Sequence, residues 1–418
     1  MKSLRLTTII ASCIFIVIQV ILLFVFLHAP QYSDQVVHIS LATNAYTEGT
    51  LYPSVSNLYD SFIVAPGLIN FLALQLKLFG TVDYNGFLQM LMNVAMLYEI
   101  FFIARNLFSE KTAYLAAILY CLTYSNYMGI LVYGTEIPFL FLALTGLCLC
   151  LTLKWYYILL ATLFFALSNT IRPLVILFII LVVIYFVCKR VNWKIYILLI
   201  IPFLMLNWSY GKFNEARIGH FVNQSTTGGT NLLQTAHDRA DGTAAKGSVI
   251  VLEKNSPYAY NNNKDKTFYE KDEMWKKAGM KWVKANPGKY CMQFIKKIPY
   301  LYADDAWPER LVFDSGFSKS MDKETDSNKK IAMVLMLILK NLQYYALLLL
   351  FIYSMFIYKK EIFSEKGLLL LYLIFGTGAT ILFPVMPRYH YPFMFVITIW
   401  AAYGMEYIAK KIKFNKKI

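Results

Sequence analysis

The sequence predicts an all-α polytopic membrane protein with about ten transmembrane helices. Of its 418 residues, 58% are hydrophobic and 16% are charged, and the mean hydropathy is +0.49. Soluble domains average about 45–50% apolar and about 25% charged residues. Runs of about twenty apolar residues recur, which is the length that a helix needs to cross a bilayer core of about 30 Å. Short loops rich in basic residues also alternate along the chain with short loops that are poor in them, which independently supports the count of ten.

The apolar runs fall into two groups that a long polar segment separates. The first run follows Lys2 and Arg5, as in a signal peptide. It is longer than a usual signal core and no small-residue cleavage site follows it, so we expect an uncleaved anchor. The ten predicted spans are Leu6–Leu27, Tyr84–Leu107, Thr112–Tyr127, Thr135–Leu153, Trp155–Thr170, Arg172–Cys188, Lys194–Tyr210, Ile331–Tyr358, Gly367–Pro384 and Tyr391–Ala409.

The short loops of one side hold most of the basic residues, whereas the opposite short loops hold only Lys77, Arg172 and Arg388. Because positive short loops stay inside, we expect both termini to be cytoplasmic and the long polar segment to be periplasmic, with the protein in the inner membrane. The net charge of +15 is then mainly an orientation signal. We expect membrane lipids as partners and no nucleic acid.

The spans divide the chain into three regions. The N-terminal membrane region covers residues 1–210 and includes an outward loop, 28–83, in which residues 62–79 predict a juxtamembrane helix. The outward domain covers 211–330, and the C-terminal membrane region covers 331–418. Within the outward domain, residues 270–284 predict a helix, and Asn286-Pro287 predicts the start of a second one.

That second helix carries apolar residues on one face and three lysines. Its pattern suits the phosphate layer of a bilayer and equally a small soluble subdomain with solvated lysines. The apolar residues are Phe294, Ile295 and Ile298, and the lysines are Lys289, Lys296 and Lys297.

Charged residues beside a span are costly, so each is a functional candidate. Asp34 follows the first span, and His38 lies one helical turn after it. Glu136 begins the fourth span, and Arg172 and Arg388 lie at outward junctions, the latter followed by Tyr389 and His390. All of them fall on the outward side by the charge rule, which predicts a cavity at that face. Glu99 and Lys340, inside spans, are predicted to be packing or snorkelling exceptions.

This residue set supports glycosyl transfer from a lipid-linked sugar phosphate. A carboxylate at the interface can act as a general base toward a hydroxyl or amine. Arginines at the same depth, and His390 when protonated, can hold a phosphate leaving group. No cofactor is required. A divalent metal on Asp34, His38 and Glu136 is possible but not required, and the six cysteines form neither a disulfide framework nor a metal cluster.

The chain resembles the GT-C membrane glycosyltransferases, specifically bacterial proteins related to protein O-mannosyltransferases and the lipid A aminoarabinose transferase. Asp34 stands where that family has its catalytic Asp, and Arg388-Tyr389-His390 is similar to its late Arg-Tyr motif. Further similar stretches are Tyr46, Tyr59, Ala65-Pro66-Gly67, Leu78-Phe79-Gly80, Asn106-Leu107-Phe108-Ser109, Glu136-Ile137-Pro138-Phe139, Gly228-Gly229-Thr230-Asn231-Leu232, Ala240-Asp241-Gly242 and 275–287.

The resemblance implies a GT-C-like fold and an inverting transfer from a polyprenyl-phosphate-linked sugar donor to a lipid, glycan or protein acceptor. Asp34 would be the general base, and Glu136 a second carboxylate that orients the acceptor. The donor phosphate would bind at Arg388, Arg172, His390 and Tyr389, and His38, Tyr46 and Tyr59 would lie around the acceptor. The chain departs from the family where Gln35 follows Asp34, because protein mannosyltransferases carry Asp-Glu, and at Ala65-Pro66-Gly67, because the aminoarabinose branch often has Lys-Pro-Pro.

Two alternatives are open from the sequence. A polymerase or ligase of lipid-linked polysaccharide also combines many spans with a large outward loop, and its arginines would hold a diphosphate. A lipid-glycan flippase or transporter would show repeats, broken helices and charges near the midplane, and no repeat is evident in the sequence.

Overall fold

The computed structural model describes residues 1–28, 31–312 and 327–415, and these residues are mainly helical, which confirms the all-α prediction. Residues 313–326 of the predicted outward domain, and Lys416 and Lys417, lie outside them. In the described ranges, the only isolated β-bridge joins Thr243 and Val385. The helices are α1 Lys2–Val25, α2 Asp34–Thr47, α3 Pro66–Phe79, α4 Asn85–Leu107, α5 Glu110–Leu122, α6 Tyr124–Met128, α7 Glu136–Leu151, α8 Trp155–Ile171, α9 Val175–Cys188, α10 Trp193–Ile218, α11 Gly228–Thr235, α12 Ala244–Gly247, α13 Val249–Leu252, α14 Phe268–Ala285, α15 Pro287–Leu301, α16 Trp307–Val312, α17 Ser327–Ile357, α18 Leu368–Ile381 and α19 Met394–Asn415.

Five helical segments of the described chain are long and apolar enough to cross a membrane. A sixth is added if α5 and the stretch Tyr124–Leu131, bent by 63° against each other, form one span. Helices α7, α8 and α9 are apolar but have 14 to 17 residues, and α18 has 14. At about 1.5 Å per residue these four are shorter than a bilayer core of about 30 Å. Each predicted span therefore contains helix, and the count of ten stays a prediction. The five are Lys2–Val25, Asn85–Leu107, Trp193–Ile218, Ile338–Ile357 and Pro387–Lys411.

Local signals explain several boundaries. Ser109 begins α5 by accepting a hydrogen bond from the Thr112 amide at 3.0 Å, and Thr267 with Glu270 forms a capping box at the start of α14. The predicted start of α15 at Asn286-Pro287 is confirmed. Helix α10 continues past its predicted end at Tyr210 and ends at Ile218, where Gly219 adopts φ +76°.

The main apolar core joins the membrane helices around α19. Trp400 and Ala401 of α19 are fully buried within it, together with Phe178 of α9. Small residues allow close approach between helices: a Cβ on Gly146 would meet the Phe165 ring at 2.6 Å. This packing places the ends of α7, α8 and α19 beside one another on one side of the bundle.

Parts of the predicted outward loop and of the predicted outward domain pack against each other. A second core cluster combines buried residues of α2 and α3 with Ile218, Val222 and Phe268 of the later segment. The backbone of Ile63 exchanges hydrogen bonds of 2.8 Å with Thr226. Helix α3 begins at Pro66, later than the predicted residue 62, because Ala65 adopts a left-handed conformation with φ +37° before it. The loop that carries Asp34 is thus fixed by the outward domain.

Candidate active site

Four charged side chains, two acidic and two basic, form a row where the ends of four elements meet. Asp34 accepts a hydrogen bond from a terminal nitrogen of Arg388. The Nε of Arg388 lies 3.9 Å from Glu136 Oε1, and the same oxygen lies 2.5 Å from a terminal nitrogen of Arg172. The order is Asp34, Arg388, Glu136, Arg172, with alternating charge. We call these four residues the charge network.

Three of the four members lie at a helix end that favours their charge. Asp34 and Glu136 are the first residues of α2 and α7, where the positive end of the helix dipole favours a carboxylate. Arg172 directly follows the last residue of α8, where a cation is favoured. Arg388 lies in a 3₁₀ turn, Pro387–Phe393, that precedes α19.

The two carboxylates differ in exposure. The Asp34 side chain is 48% exposed, whereas the Glu136 side chain, which lies between both arginines, is 3% exposed. The two guanidinium groups are mostly buried and both lie over the Tyr389 ring, at 5.8 Å for Arg172 and 5.5 Å for Arg388. Asp34 is therefore the member of the network that an incoming molecule reaches first.

Gln35, the second residue of α2, connects the helix that begins with Asp34 to the segment that leads to Glu136. Gln35 accepts a hydrogen bond from the Tyr133 amide at 2.9 Å and donates one to the Leu311 carbonyl at 2.7 Å. His38, one turn later, contacts the Tyr133 carbonyl through Nδ1 at 2.9 Å. The backbone N–H and C=O of Tyr133, three residues before Glu136, thus both contact side chains of α2. An ionised glutamate can only accept hydrogen bonds, whereas the Gln35 amide both accepts and donates, which gives a physical reason for Gln35 where the resembling family has Glu.

Two glycines leave room for the site. A Cβ on Gly134 would lie 2.5 Å from Glu136 Oε2, and a Cβ on Gly67 would lie 2.1 Å from Thr170 Oγ1, beside Arg172. Ser33, directly before Asp34, has φ +56°, a conformation that non-glycine residues rarely adopt and that is often found at functional positions.

Burial and charge act in opposite directions on Asp34. Burial raises the pKa of the Asp34 carboxyl, but the charge of Arg388 and its hydrogen bond outweigh this effect, so the pKa lies below its ordinary value of 3.8. Burial lowers the pKa of His38 below 6.5, although its bond to Tyr133 opposes this. At neutral pH we therefore expect an ionised Asp34 next to a neutral His38.

His390 lies outside the charge network although it is two residues from Arg388. Its side chain is fully buried, with Nδ1 at 3.0 Å from the Leu301 carbonyl and Nε2 at 3.1 Å from Asp305 Oδ1. This arrangement ties the turn of Arg388 to the segment that follows α15. The side chains of Tyr46 and Tyr59, also predicted near the acceptor, are exposed at the end of α2 and in the loop after it.

Sequence reasoning missed the residues that support the site. Tyr133 contributes its backbone, and Asp305 occurs in a polar stretch with no motif around it. The sequence signal that was available for Gln35 was its departure from the family pattern. Among the described residues, no group of three His, Cys, Asp or Glu side chains is placed to hold a metal ion, so Asp34, His38 and Glu136 do not assemble as a ligand set.

No protein-family model matches the sequence, and no curated protein matches it. Solved structures do match. The oligosaccharyltransferase of Archaeoglobus fulgidus in its apo form gives a TM-score of 0.54 at 11% identity, over 98% of this chain and 51% of that one. The same protein in complex with Zn and sulfate gives a TM-score of 0.54 at 12% identity, over 97% of this chain and 49% of that one.

A third match is the archaeal oligosaccharyltransferase AglB from the same organism, in complex with an inhibitory peptide and a dolichol-phosphate. It gives a TM-score of 0.51 at 10% identity, over 99% of this chain and 51% of that one. The chain spans about half the length of these proteins. At this identity the likeness concerns the fold alone, which this chain shares with about half of each of these proteins. The GT-C-like fold predicted from the sequence is therefore confirmed.

Proposed function

We propose that the chain is a membrane glycosyltransferase that moves a sugar from a polyprenyl-phosphate donor to an acceptor on the outward face of the membrane. The observation that supports this proposal best is the charge network. It combines an exposed carboxylate with two guanidinium groups at the ends of membrane helices, in a fold shared with an oligosaccharyltransferase. A base for the acceptor and a binding site for the donor phosphate are thus adjacent.

Donor binding would activate Asp34 by exchange of partners. The donor phosphate is an anion that competes with Asp34 for Arg388, and an arginine can bind phosphate through two nitrogens. When Arg388 turns to the phosphate, Asp34 loses the contact that lowers its pKa and becomes a stronger base. The base is therefore released when the donor is in place.

In the transfer itself, Asp34 takes the proton of the acceptor hydroxyl or amine while the acceptor atom attacks the anomeric carbon. The bond between that carbon and the phosphate oxygen breaks, with inversion, and the polyprenyl phosphate leaves with the electron pair. Arg388 and Arg172 stabilise the negative charge that develops on the phosphate.

The burial of Glu136 favours a role in holding the two arginines rather than in contact with the acceptor. Its oxygen Oε1 is close to both guanidinium groups, and removing it would leave two buried cations facing each other. We therefore assign Glu136 to positioning and leave acceptor contact to the residues around Asp34.

The lipid chain of the donor would lie along α9, which begins just after Arg172. An apolar groove with a volume of about 350 Å³ runs between α9 and α10. A smaller one of about 130 Å³ runs between α9 and α18 and includes Tyr372. The first groove is lined by Ile176, Ile179, Ile180, Val183, Ile184, Ile200, Phe203 and Leu204.

The test compares cells that express the wild-type chain, Asp34→Asn or Asp265→Asn, in a strain that lacks the gene. Asp265 is an exposed outward carboxylate whose nearest cation is Lys266 at 3.8 Å, so its variant is the matched control. We expect mass spectrometry of membrane lipids to show an accumulated polyprenyl-phosphate sugar only with Asp34→Asn. Loss of a general base costs about 10²–10⁴-fold in rate. Equal donor levels in the three strains, at equal protein levels, would contradict the proposal.

A further inference from the structure

Helix α15 has its apolar side chains on the outside. Met292 and Ile295 are 61% and 66% exposed, and Ile298 is exposed as well. Of its three buried residues, Gln293, Lys297 and Leu301, two are polar, and Lys297 is only 1% exposed. An amphipathic helix on a water-exposed domain shows the opposite arrangement, so α15 is inverted with respect to water.

The preceding helix, α14, does not show this inverted arrangement. Helix α14 buries the large apolar side chains of Phe268 and Trp275 against the outward domain, together with one lysine, Lys271. Its other lysines Lys277, Lys281 and Lys284 are exposed. It therefore has the ordinary pattern of a helix that faces water. The two helices are neighbours in sequence and in space, so the difference between them requires a different environment for the outer face of α15.

The polar inner face of α15 attaches the helix to the end of α18. Lys297 donates a hydrogen bond of 2.9 Å to the Ile381 carbonyl, and Tyr290 donates one of 2.7 Å to the Leu382 carbonyl. The Lys297 ammonium also lies over the Tyr290 and Phe294 rings, at 5.6 and 5.5 Å. Burial lowers the pKa of Lys297 to about 8.

These contacts place α15 at the level where α18 ends. Helix α18 is one of the apolar helices of the membrane region, and the residues after it, Leu382 and Phe383, are exposed. The outer side chains of α15 and these two residues therefore belong to one apolar surface beside the bundle. Lys289 and Lys296 lie on α15 next to its apolar side chains, and both are exposed.

We propose that the outer face of α15, formed by Met292, Ile295 and Ile298, lies in the outer leaflet of the membrane. Its apolar side chains enter the boundary between headgroups and acyl chains, and Lys289 and Lys296 contact anionic lipid phosphates. Such a location removes the exposed apolar area from water and is typical of amphipathic helices with basic borders. This inference is independent of the proposed reaction.

The test measures the depth of a single fluorescent label. The exposed cysteines Cys13, Cys188 and Cys291 are replaced by Ser, and a bimane label is attached to Ile295→Cys or, as control, to Lys264→Cys on an exposed loop of the outward domain. The protein is placed in nanodiscs of phosphatidylcholine and phosphatidylglycerol. We expect lipids brominated near the top of the chain to quench the label at 295 at least twofold more than the control, and aqueous iodide to do the reverse.

Two outcomes would overturn the proposal. Iodide quenching at 295 equal to that at 264 would show that the face is in water. Protection from both quenchers in a disc that holds two copies of the chain would show that a second copy covers the face. The charge contribution is tested with Lys289→Gln/Lys296→Gln in the labelled protein. We expect this pair to abolish the difference in lipid quenching between discs with and without phosphatidylglycerol, and an unchanged difference would remove the lysines from the proposal.

Discussion

The molecule contains two polar networks of different chemistry. The charge network consists of two carboxylates and two guanidinium groups at helix ends. The second, the amide network, consists of Gln19, Asn93, Tyr120, Asn126 and Tyr391, which are all buried and uncharged. Asn93 donates to Gln19 Oε1 at 2.9 Å and to the Asn126 carbonyl at 2.6 Å, and Tyr391 donates to Asn126 Oδ1 at 3.1 Å.

We expect the charge network to bind ligands and the amide network to support the packing of the helices. In a low-dielectric interior, neutral amides and phenols that bond to one another are tolerated, whereas charges are costly. The amide network joins α1, α4, α5 and α6, and its groups bond mainly to other protein groups. The charge network has a half-exposed carboxylate that can exchange its partner. Both networks end on the turn Pro387–Phe393: Arg388 belongs to one and Tyr391, one 3₁₀ turn later, to the other.

The largest effect is expected for Arg388→Ala, which removes the cation between the two carboxylates. The donor phosphate loses one of its two guanidinium groups, and removal of a single such donor typically costs about 10²–10³-fold in rate. We expect a loss of that size in kcat/KM for the donor, measured with the purified protein in nanodiscs.

Two variants separate this effect from general damage. Arg388→Lys keeps the charge but cannot bind two partners in a plane, so it should recover only part of the activity. Arg239→Ala removes an exposed arginine that pairs with Glu253, and it should behave like the wild type. Full activity of Arg388→Lys would show that only the charge at this position matters.

A smaller effect is expected for Gln35→Glu, which restores the residue of the resembling family. The carboxylate would face both the Leu311 carbonyl, to which Gln35 now donates, and the neighbouring Asp34. Misplacement of a reacting group by about 1 Å can cost about 10²-fold, and we expect roughly a tenfold loss in kcat with the protein folded. An unchanged or higher kcat would show that the amide does not position α2.

These predictions depend on contacts that the sequence alone gives only in part. Asp34, Glu136, Arg172 and Arg388 each stand at the outward end of an apolar run, so their common level follows from the positive-inside rule. Their order in the network depends on how α2, α7 and α8 pack, which no local pattern encodes. His390 was predicted beside them, but in a 3₁₀ turn residues two apart point to different sides.

The number of spans and the burial of side chains on α15 also depend on packing that no local sequence pattern encodes. The 63° bend after Leu122 falls at Thr123, with no proline or glycine in residues 113–128, so the usual local signals for a bend are absent there. The sequence correctly predicts the start of α15 at Asn286-Pro287, because capping is local. It groups Lys297 with the solvated lysines, whereas the structure buries this side chain against α18 and Gly242, contacts that the sequence does not show.

The pH dependence tests the proposed exchange of partners. A protonated Asp34 cannot accept a proton, so the rate falls as the pH decreases through its pKa. In the free enzyme Arg388 lowers this pKa below 3.8, and the neutral His38 adds no step near 6.5. We therefore expect the acid limb of kcat/KM for the donor to lie below the ordinary range of an aspartate, with no step near pH 6.5. When the donor has taken Arg388, the acid limb of kcat, measured at saturating donor, should lie at a higher pH than the acid limb of kcat/KM.

Coincident acid limbs for the two parameters would contradict the exchange. A step near pH 6.5 that persists in His38→Gln would assign the titration to another group. The same two profiles for Asp265→Asn serve as the control, because this carboxylate belongs to neither network.

A modest effect is expected for Gly134→Ala, because the added Cβ would lie 2.5 Å from Glu136 Oε2. The Glu136 carboxylate must shift and its contacts with the arginines lengthen, so we expect about a three- to tenfold rise in the donor KM. Gly129→Ala is the matched control in the same loop, since its Cβ would meet only the Ile137 side chain, at 3.4 Å. Equal KM values for the two variants would mean that the carboxylate position tolerates the shift.

The smallest effect on activity is expected for Asn93→Leu, in the centre of the amide network. Leucine removes the bonds to Gln19 and Asn126 and leaves the Tyr120 hydroxyl without its Asn93 side-chain acceptor. Hydrogen bonds between membrane helices are worth about 0.6 kcal/mol on average and about 1.7 kcal/mol at most. We expect the free energy of unfolding to fall by about 1–3 kcal/mol, measured by denaturation in mixed micelles.

The activity of the folded fraction of Asn93→Leu should stay within about twofold of the wild type, because the turn that carries Arg388 is also fixed by His390. A loss in kcat/KM as large as that of Arg388→Ala, at full folding, would remove the distinction between the two networks. In that case the turn at Pro387–Phe393 would transmit changes in the membrane interior directly to the charged residues above it.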